Sequence, residues 1–197
     1  IASCLVGSEM CIRDRGVVDG NKILDKKNIK KNDLILAVPS NGIHSNGYSL
    51  VRYVLKKNNI NFKNNRFLKK ELIKPTKIYV NEILSLIKNQ LLNSCANITG
   101  GGLEDNIKRV IPDGLSADID LDKVKTKKIF KWLKQNNIDD KEMLRTFNCG
   151  VGFCLIVKPQ NLKKIGKFFS KQFEPYVIGK ITSGKNKIKL NGKIDWS

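Results

Sequence analysis

One histidine occurs in the 197 residues, and its setting is unusual. It lies in Pro39-Ser-Asn-Gly-Ile-His44-Ser-Asn-Gly-Tyr-Ser-Leu-Val-Arg52, between two Asn-Gly pairs. Glycines in such a turn let backbone N–H groups come close to an anion, and a helix N-terminus just behind the turn favours negative charge. His44 is therefore a candidate catalytic residue, with Ser45, Asn46 and Gly47 as candidate phosphate-binding residues. An imidazole near neutral pH can polarise or protonate a carbonyl oxygen, or stabilise charge developing on a phosphate. These residues alone do not choose among those roles, and a simply solvated loop histidine is the plainer alternative.

Two further small-residue loops follow. Thr99-Gly100-Gly101-Gly102 precedes Leu103-Glu-Asp-Asn-Ile, so three glycines stand in front of a helical pattern. That arrangement can cradle a phosphate, or it can be a tight strand-to-helix turn. Arg145-Thr-Phe-Asn148-Cys-Gly-Val-Gly152 is the third loop. Arginine forks onto phosphate or carboxylate in a way lysine does not, which makes Arg145 and Asn148 candidates. A structural ion pair at a helix end is the alternative for Arg145. Arg52, two helical turns after the histidine loop, is a weaker candidate.

The elements that must hold these loops follow from periodicity. Asp33–Pro39 reads as a short buried strand ended by proline. Tyr48, Val51, Val54 and Leu55 recur at helical spacing, and Asn58–Asn65 reads as a polar loop. A helix starting at Pro75-Thr76 is expected to bury Ile78, Ile83, Leu84, Ile87 and Leu91. Ala96–Thr99 is an extended entry to the glycines, and Leu103–Ile111 a short helix. Leu115–Leu121 alternates as a strand, with Asp118 and Asp120 on one face. Helices are expected at 126–137 and at 140–146, the second capped by Asp139 or Asp140. Val151–Val157 is a buried strand and 160–172 an amphipathic helix. Tyr176–Thr182 and Ile188–Leu190 read as a terminal hairpin through Ser183-Gly184. Gly16–Leu24 reads as two strand ends around an Asp-Gly turn. Strands and helices alternate, which argues for an α/β or α+β layer.

Composition bounds the rest. The formal charge is +19, yet 31 of the 37 basic residues are lysine and they are spread along the whole chain. Lysine and asparagine share A- and T-rich codons, so base composition is a sufficient cause. Solvated lysine faces are the expected result, with no specific nucleic-acid partner. No apolar run reaches the roughly 18 residues that span a bilayer. A reduced, cytoplasmic protein is expected from five cysteines (Cys4, Cys11, Cys95, Cys149, Cys154) that form no CxxC pair. Cys149 and Cys154 belong to an apolar run and read as core. No metal-ligating residues are assigned. Gly179-Lys-Ile-Thr-Ser-Gly184-Lys185 imitates a P-loop, but Asn186 replaces the metal-binding hydroxyl and no helix follows.

The three loops, together with Lys74-Pro-Thr-Lys-Ile-Tyr-Val80 and Tyr176-Val-Ile-Gly-Lys-Ile181, resemble the phosphoribosylformylglycinamidine cyclo-ligase (aminoimidazole ribonucleotide synthetase) family in the same order. The resemblance runs from about Gly16 to about Lys189. It implies a three-layer α/β/α domain with a mixed sheet, the C-terminal domain of that family, over residues 39–197. It also implies that 16–38 are terminal strands and linker of a missing N-terminal domain. Residues 1–15 match neither the family nor any period and are expected to be a non-native leader. The implied activity is ATP-dependent ring closure of formylglycinamidine ribonucleotide to aminoimidazole ribonucleotide in purine biosynthesis. ATP and Mg²⁺ are the implied cofactors, held mainly by the missing domain, and the implied full-length form is a homodimer. This chain alone is expected to be inactive. The alternatives are a sister ATP-dependent synthetase of the same superfamily and a non-catalytic basic nucleic-acid-binding module.

Overall fold

Leu34-Ile-Leu-Ala-Val-Pro39 alternates its side chains between two apolar clusters, and this strand forms the middle of the molecule. The computed structural model describes residues 17–20 and 23–197. Within them six strands form one mixed sheet: β1 (Leu34–Pro39), β2 (Ser94–Asn97), β3 (Leu115–Asp120), β4 (Val151–Val157), β5 (Tyr176–Ser183) and β6 (Ile188–Asn191). Their order is β2-β4-β1-β5-β3-β6, antiparallel except for the last pair. Ile35 and Ala37 face one cluster, Leu36 and Val38 the other, as the two-residue strand period requires.

Helices cover both faces. The helices α1 (Tyr48–Lys57), α2 (Arg66–Leu72), α4 (Gly102–Lys108), α5 (Lys128–Gln135) and α6 (Asp140–Thr146) pack Val51, Leu68, Ile107, Phe130 and Met143 onto one side. The other side is closed by α3 (Val80–Lys88) and the single turn α7 (Leu162–Ile165), through Ile83, Leu86 and Ile165. This is the three-layer arrangement the resemblance implied. Asp139 caps α6 as expected, its carboxylate accepting from Glu142 N–H at 2.8 Å. Cys149 and Cys154 are core residues.

Several expectations need correction. The terminal hairpin does not form. Both edges of β5 are taken by β1 and β3, so the chain crosses and β6 pairs in parallel with β3. The helix expected at 160–172 is a single α turn with 3-10 turns on either side, Pro159–Asn161 and Gly166–Phe168; the chain then extends at Phe169, which is buried in the same cluster as Ile165. The helix expected from Pro75 starts at Val80, because 75–76 is clipped to the histidine loop by Asn41 Nδ2 donating to the Pro75 carbonyl. Ile78 is consequently 73% exposed, and Leu84 is exposed rather than buried. The helix α2, capped by Asn65, was not read from the sequence. Residues 17–20 and 23–24 form no strand. Finally, a domain boundary at 38/39 would cut through β1, which bonds to β4 and β5 on its two sides. The expected leader, residues 1–15, lies outside the described residues.

Candidate functional site

Because β4 runs antiparallel to both β1 and β2, the ends of β1 and β2 and the start of β4 meet at one end of the sheet. The three loops singled out in the sequence therefore converge. Loop 40–47 leaves β1, loop 98–101 leaves β2, and loop 147–150 enters β4. Contacts confirm the meeting. A side chain added at Gly47 would run into Phe147, and one at Gly100 would meet Asn46 Oδ1 at 3.6 Å. The first two loops enter α1 and α4 through left-handed glycines, Gly47 at φ 84° and Gly101 at φ 91°.

His44 is 6% exposed and itself left-handed, at φ 63°. A non-glycine residue held there is strained, and such residues gather at functional sites. Its Nε2 accepts from the Asn41 backbone N–H at 3.1 Å. In the neutral ring the proton must then sit on Nδ1. Burial first, and the nearby Lys127 charge second, push its pKa down to about 4. At neutral pH His44 is thus an uncharged N–H donor. It is suited to hydrogen-bonding an oxygen and not to delivering a proton as an imidazolium, which narrows the roles left open by the sequence.

Asn148 is 3% exposed and fully engaged. Its Nδ2 donates to the carbonyls of Gly42 (2.9 Å) and Ile43 (3.1 Å), and its Oδ1 accepts from Gly150 N–H at 2.9 Å. It ties the third loop to the first, and every bond it makes is to the protein. Arg145 takes part in the loop through its backbone. Its side chain is exposed, and its carbonyl accepts from Gly101 N–H at 3.1 Å.

The glycine loop is likewise committed. Gly101 N–H is bound by Arg145 and Gly102 N–H donates to Thr99 O at 3.1 Å, so these two do not form an open cradle. A Cβ on Gly102 would collide with the Leu144 carbonyl, so its lack of a side chain lets α4 and α6 touch. The helix behind the loop is seven residues long and carries Glu104 and Asp105 in its first turn, which oppose a phosphate there. The organiser of this loop is Asn106, a residue the sequence reading passed over. Its Nδ2 donates to Gly102 O at 2.7 Å and Gly100 O at 3.2 Å, and its Oδ1 accepts from Thr99 Oγ1 at 3.1 Å. An asparagine one helical turn after a glycine run was the available signal.

The other polar groups around the junction are a mixed set. Ser45 Oγ lies 3.4 Å from Thr76 Oγ1, and Lys74 pairs with Glu71 at 2.5 Å. Lys127, at the start of α5, has its pKa lowered by burial and then by Lys74. Ser40, fully buried, and Thr126 carry buried hydroxyl oxygens without partners, on either side of Gly150. Arg52 is exposed and reaches back only to Ser49, at 3.4 Å. No group of three or more His, Cys, Asp or Glu residues that could hold a metal occurs among the described residues.

A mixed sheet sheathed by helices, with three interlocked glycine loops and a buried histidine at one end, defines a class of three-layer α/β domain. Comparison with known proteins makes this specific. Residues 30–191 match the family described as "AIR synthase related protein, C-terminal domain", and the chain belongs to that family. Curated relatives named phosphoribosylformylglycinamidine cyclo-ligase include the chloroplastic protein of Arabidopsis thaliana, 38% identical over 86% of this chain and 46% of its own length. The Clostridium perfringens (strain 13) relative is 40% identical over 86% of this chain and 51% of its own. The chain thus spans about half the length of these relatives. Among solved structures, the phosphoribosylformylglycinamidine synthase II of Thermotoga maritima superposes with a TM-score of 0.58 at 14% identity, over 90% of this chain and 27% of that one. The thiamine-monophosphate kinase of Stenotrophomonas maltophilia gives 0.56 at 15%, over 90% and 56%. At such identity these two show a shared fold. No helix among the described residues is long and apolar enough to cross a membrane.

Proposed function

We propose that this chain supplies the C-terminal half of the active site of an ATP-dependent phosphoribosylformylglycinamidine cyclo-ligase of cytoplasmic purine biosynthesis. In that reaction ATP phosphorylates the formyl oxygen of formylglycinamidine ribonucleotide. A substrate nitrogen then attacks the same carbon, phosphate leaves, and the imidazole ring closes to aminoimidazole ribonucleotide. The observation that carries the reading is the convergence of the three family loops around His44, in a chain 38–41% identical to proteins of that name. Two solved neighbours, T. maritima PurL complexed with ATP and with FGAR, are consistent with a nucleotide and a related substrate.

Within this half, His44 is the catalytic residue. Its Nδ1–H meets an oxygen of the substrate or of the transferring phosphate, contributing a neutral donor that needs no reorganisation. Ser45, Asn46 and Thr99 serve as substrate contacts, Thr99 from the loop that its hydroxyl ties to Asn106. Gly47, Gly100, Gly101 and Gly102 let the loops approach one another and the ligand. Asn148 holds the loop that carries His44. No metal ligand is assigned to this half; metal binding and most ATP contacts are assigned to the remaining half of the full-length homodimer.

The test mixes the purified chain with the preceding half of the C. perfringens relative and follows aminoimidazole ribonucleotide formation. Turnover is expected from the mixture, none from the chain alone, and none from the mixture containing His44→Ala. A mixture that associates but never turns over would overturn the reading. Nucleic-acid binding that survives moderate salt would favour a basic binding module instead.

A further inference from the structure

Tyr79 stands at the N-cap of α3, in the layer opposite the one that holds most of the helices, and is 5% exposed. Its hydroxyl donates to the Pro39 carbonyl at 2.9 Å. Pro39 is where β1 shifts register against β4 and leaves the sheet, so this carbonyl is the root of the histidine loop. The Tyr79 ring lies between two others: His44 at 6.1 Å and 57°, and Phe153 at 5.4 Å and 46°. Gly152 makes this possible. A Cβ there would overlap the Tyr79 hydroxyl and stand 2.9 Å from His44 Cε1, so hydroxyl and imidazole edge rest on the same bare Cα.

We propose that Tyr79 is a positioning residue for His44. By anchoring Pro39 and walling off the Cε1 edge of the ring, it holds the imidazole with Nε2 on the Asn41 N–H and the proton on Nδ1. Nδ1 has no protein partner among the described residues and is left to meet a ligand. The importance of that donor rests on the functional reading above; the positioning itself does not. Phenylalanine at 79 would keep the ring and lose the anchor. The loop root would then relax, and the imidazole would sample the other tautomer and more water. The charged group acting on His44 is Lys127, at the start of α5, with Lys74 and Glu71 acting in turn on Lys127. Gly152 and Phe153 of β4 contribute no charge.

With one histidine in the sequence, a ¹⁵N-labelled sample of the whole chain gives one imidazole to follow by long-range ¹H–¹⁵N correlation. The wild type is expected to show a protonated Nδ1 and an acceptor Nε2 at pH 7. Tyr79→Phe is expected to show averaged tautomers and a titration midpoint raised by about one pH unit or more. Phe153→Leu removes the other ring but keeps the hydroxyl; it should lower thermal stability and leave tautomer and midpoint in place. The proposal falls if wild-type His44 carries its proton on Nε2. It falls equally if Tyr79→Phe changes only stability, or if Phe153→Leu shifts the histidine as far as Tyr79→Phe does. No ligand enters these measurements, so their failure is distinct from a failure of the cyclo-ligase reading.

Discussion

The side-chain amide of Asn148 bonds the carbonyls of Gly42 and Ile43, which precede it by 106 and 105 residues. One buried asparagine thus closes the loop bearing His44 onto the start of β4. Satisfied buried amides of this kind gain little net free energy from each bond, but removing the partner strands the groups it served. Asn148→Ala leaves two buried carbonyls and the Gly150 N–H without their partner. We expect a loss of about 2–4 kcal/mol in urea unfolding. Backbone amides of residues 41–47 should exchange faster with solvent than in the wild type.

Arg145 makes the opposite prediction. Its carbonyl holds Gly101, and its guanidinium points to solvent. Arg145→Ala should therefore change unfolding free energy by no more than about 0.5 kcal/mol, as surface substitutions do. A larger loss would show that the guanidinium has a structural partner. If the side chain instead contacts a bound phosphate in the assembled enzyme, the same variant should raise KM and leave stability alone.

Two glycines are required by approach distance, and the first by backbone angle as well. Gly102 abuts the Leu144 carbonyl with φ 61°, and Gly152 underlies Tyr79 and His44. Alanine at 102 meets backbone on a helix that cannot shift alone, so Gly102→Ala should separate α4 from α6 and cost about 3 kcal/mol or more. Gly152→Ala displaces side chains instead. It should be milder in thermal unfolding and should perturb the His44 imidazole resonance, which Gly102→Ala should not.

Much of this was legible in the sequence, for identifiable reasons. The continuous apolar runs Leu34–Pro39 and Val151–Val157 mark buried strands because both faces of the sheet are covered. The histidine loop was legible as a loop because its two Asn-Gly pairs are turn formers. Pairing was not legible. Ile188–Leu190 has the pattern of a hairpin partner, and only the occupancy of both β5 edges sends it to β3. Nor was the division of labour among the site residues. Asn148 and Asn106 look like ligand contacts or ordinary polar residues until their amides are seen bonded to loop carbonyls far along the chain or one turn behind. Proline at 75 promised a helix start, but a tertiary bond from Asn41 holds that segment extended.

Acid stability is governed over one interval by His44. Its pKa is about 4 in the folded chain against an ordinary 6.5, so between these values the unfolded chain holds a proton that the folded chain lacks. Stability therefore rises with pH across the window; it is full above about 6.5 and declines as pH falls toward 4. The ceiling on this term is about 3 kcal/mol, from the size of the shift. The carboxylates whose pKa values are lowered act further down. The less exposed ones are Glu82, whose burial is outweighed by its bond to Lys77, and Asp140, bonded by Lys134; Asp113, bonded by Lys187, and Asp195, bonded by Ser197, are lowered too but fully exposed. Their contributions persist above the ordinary carboxylate values of 4.5 and 3.8 and are lost only on further acidification. Among the described residues with a shifted pKa, the interval from about 4.5 to 6.5 is thus left to the histidine. Urea midpoints measured across it should fall steadily toward acid in the wild type. In His44→Gln, which keeps a polar side chain at 44 without a titrating ring, they should be flat. A wild-type curve as flat as the variant's would mean that the ring takes up its proton at an ordinary pKa and is not held neutral by burial.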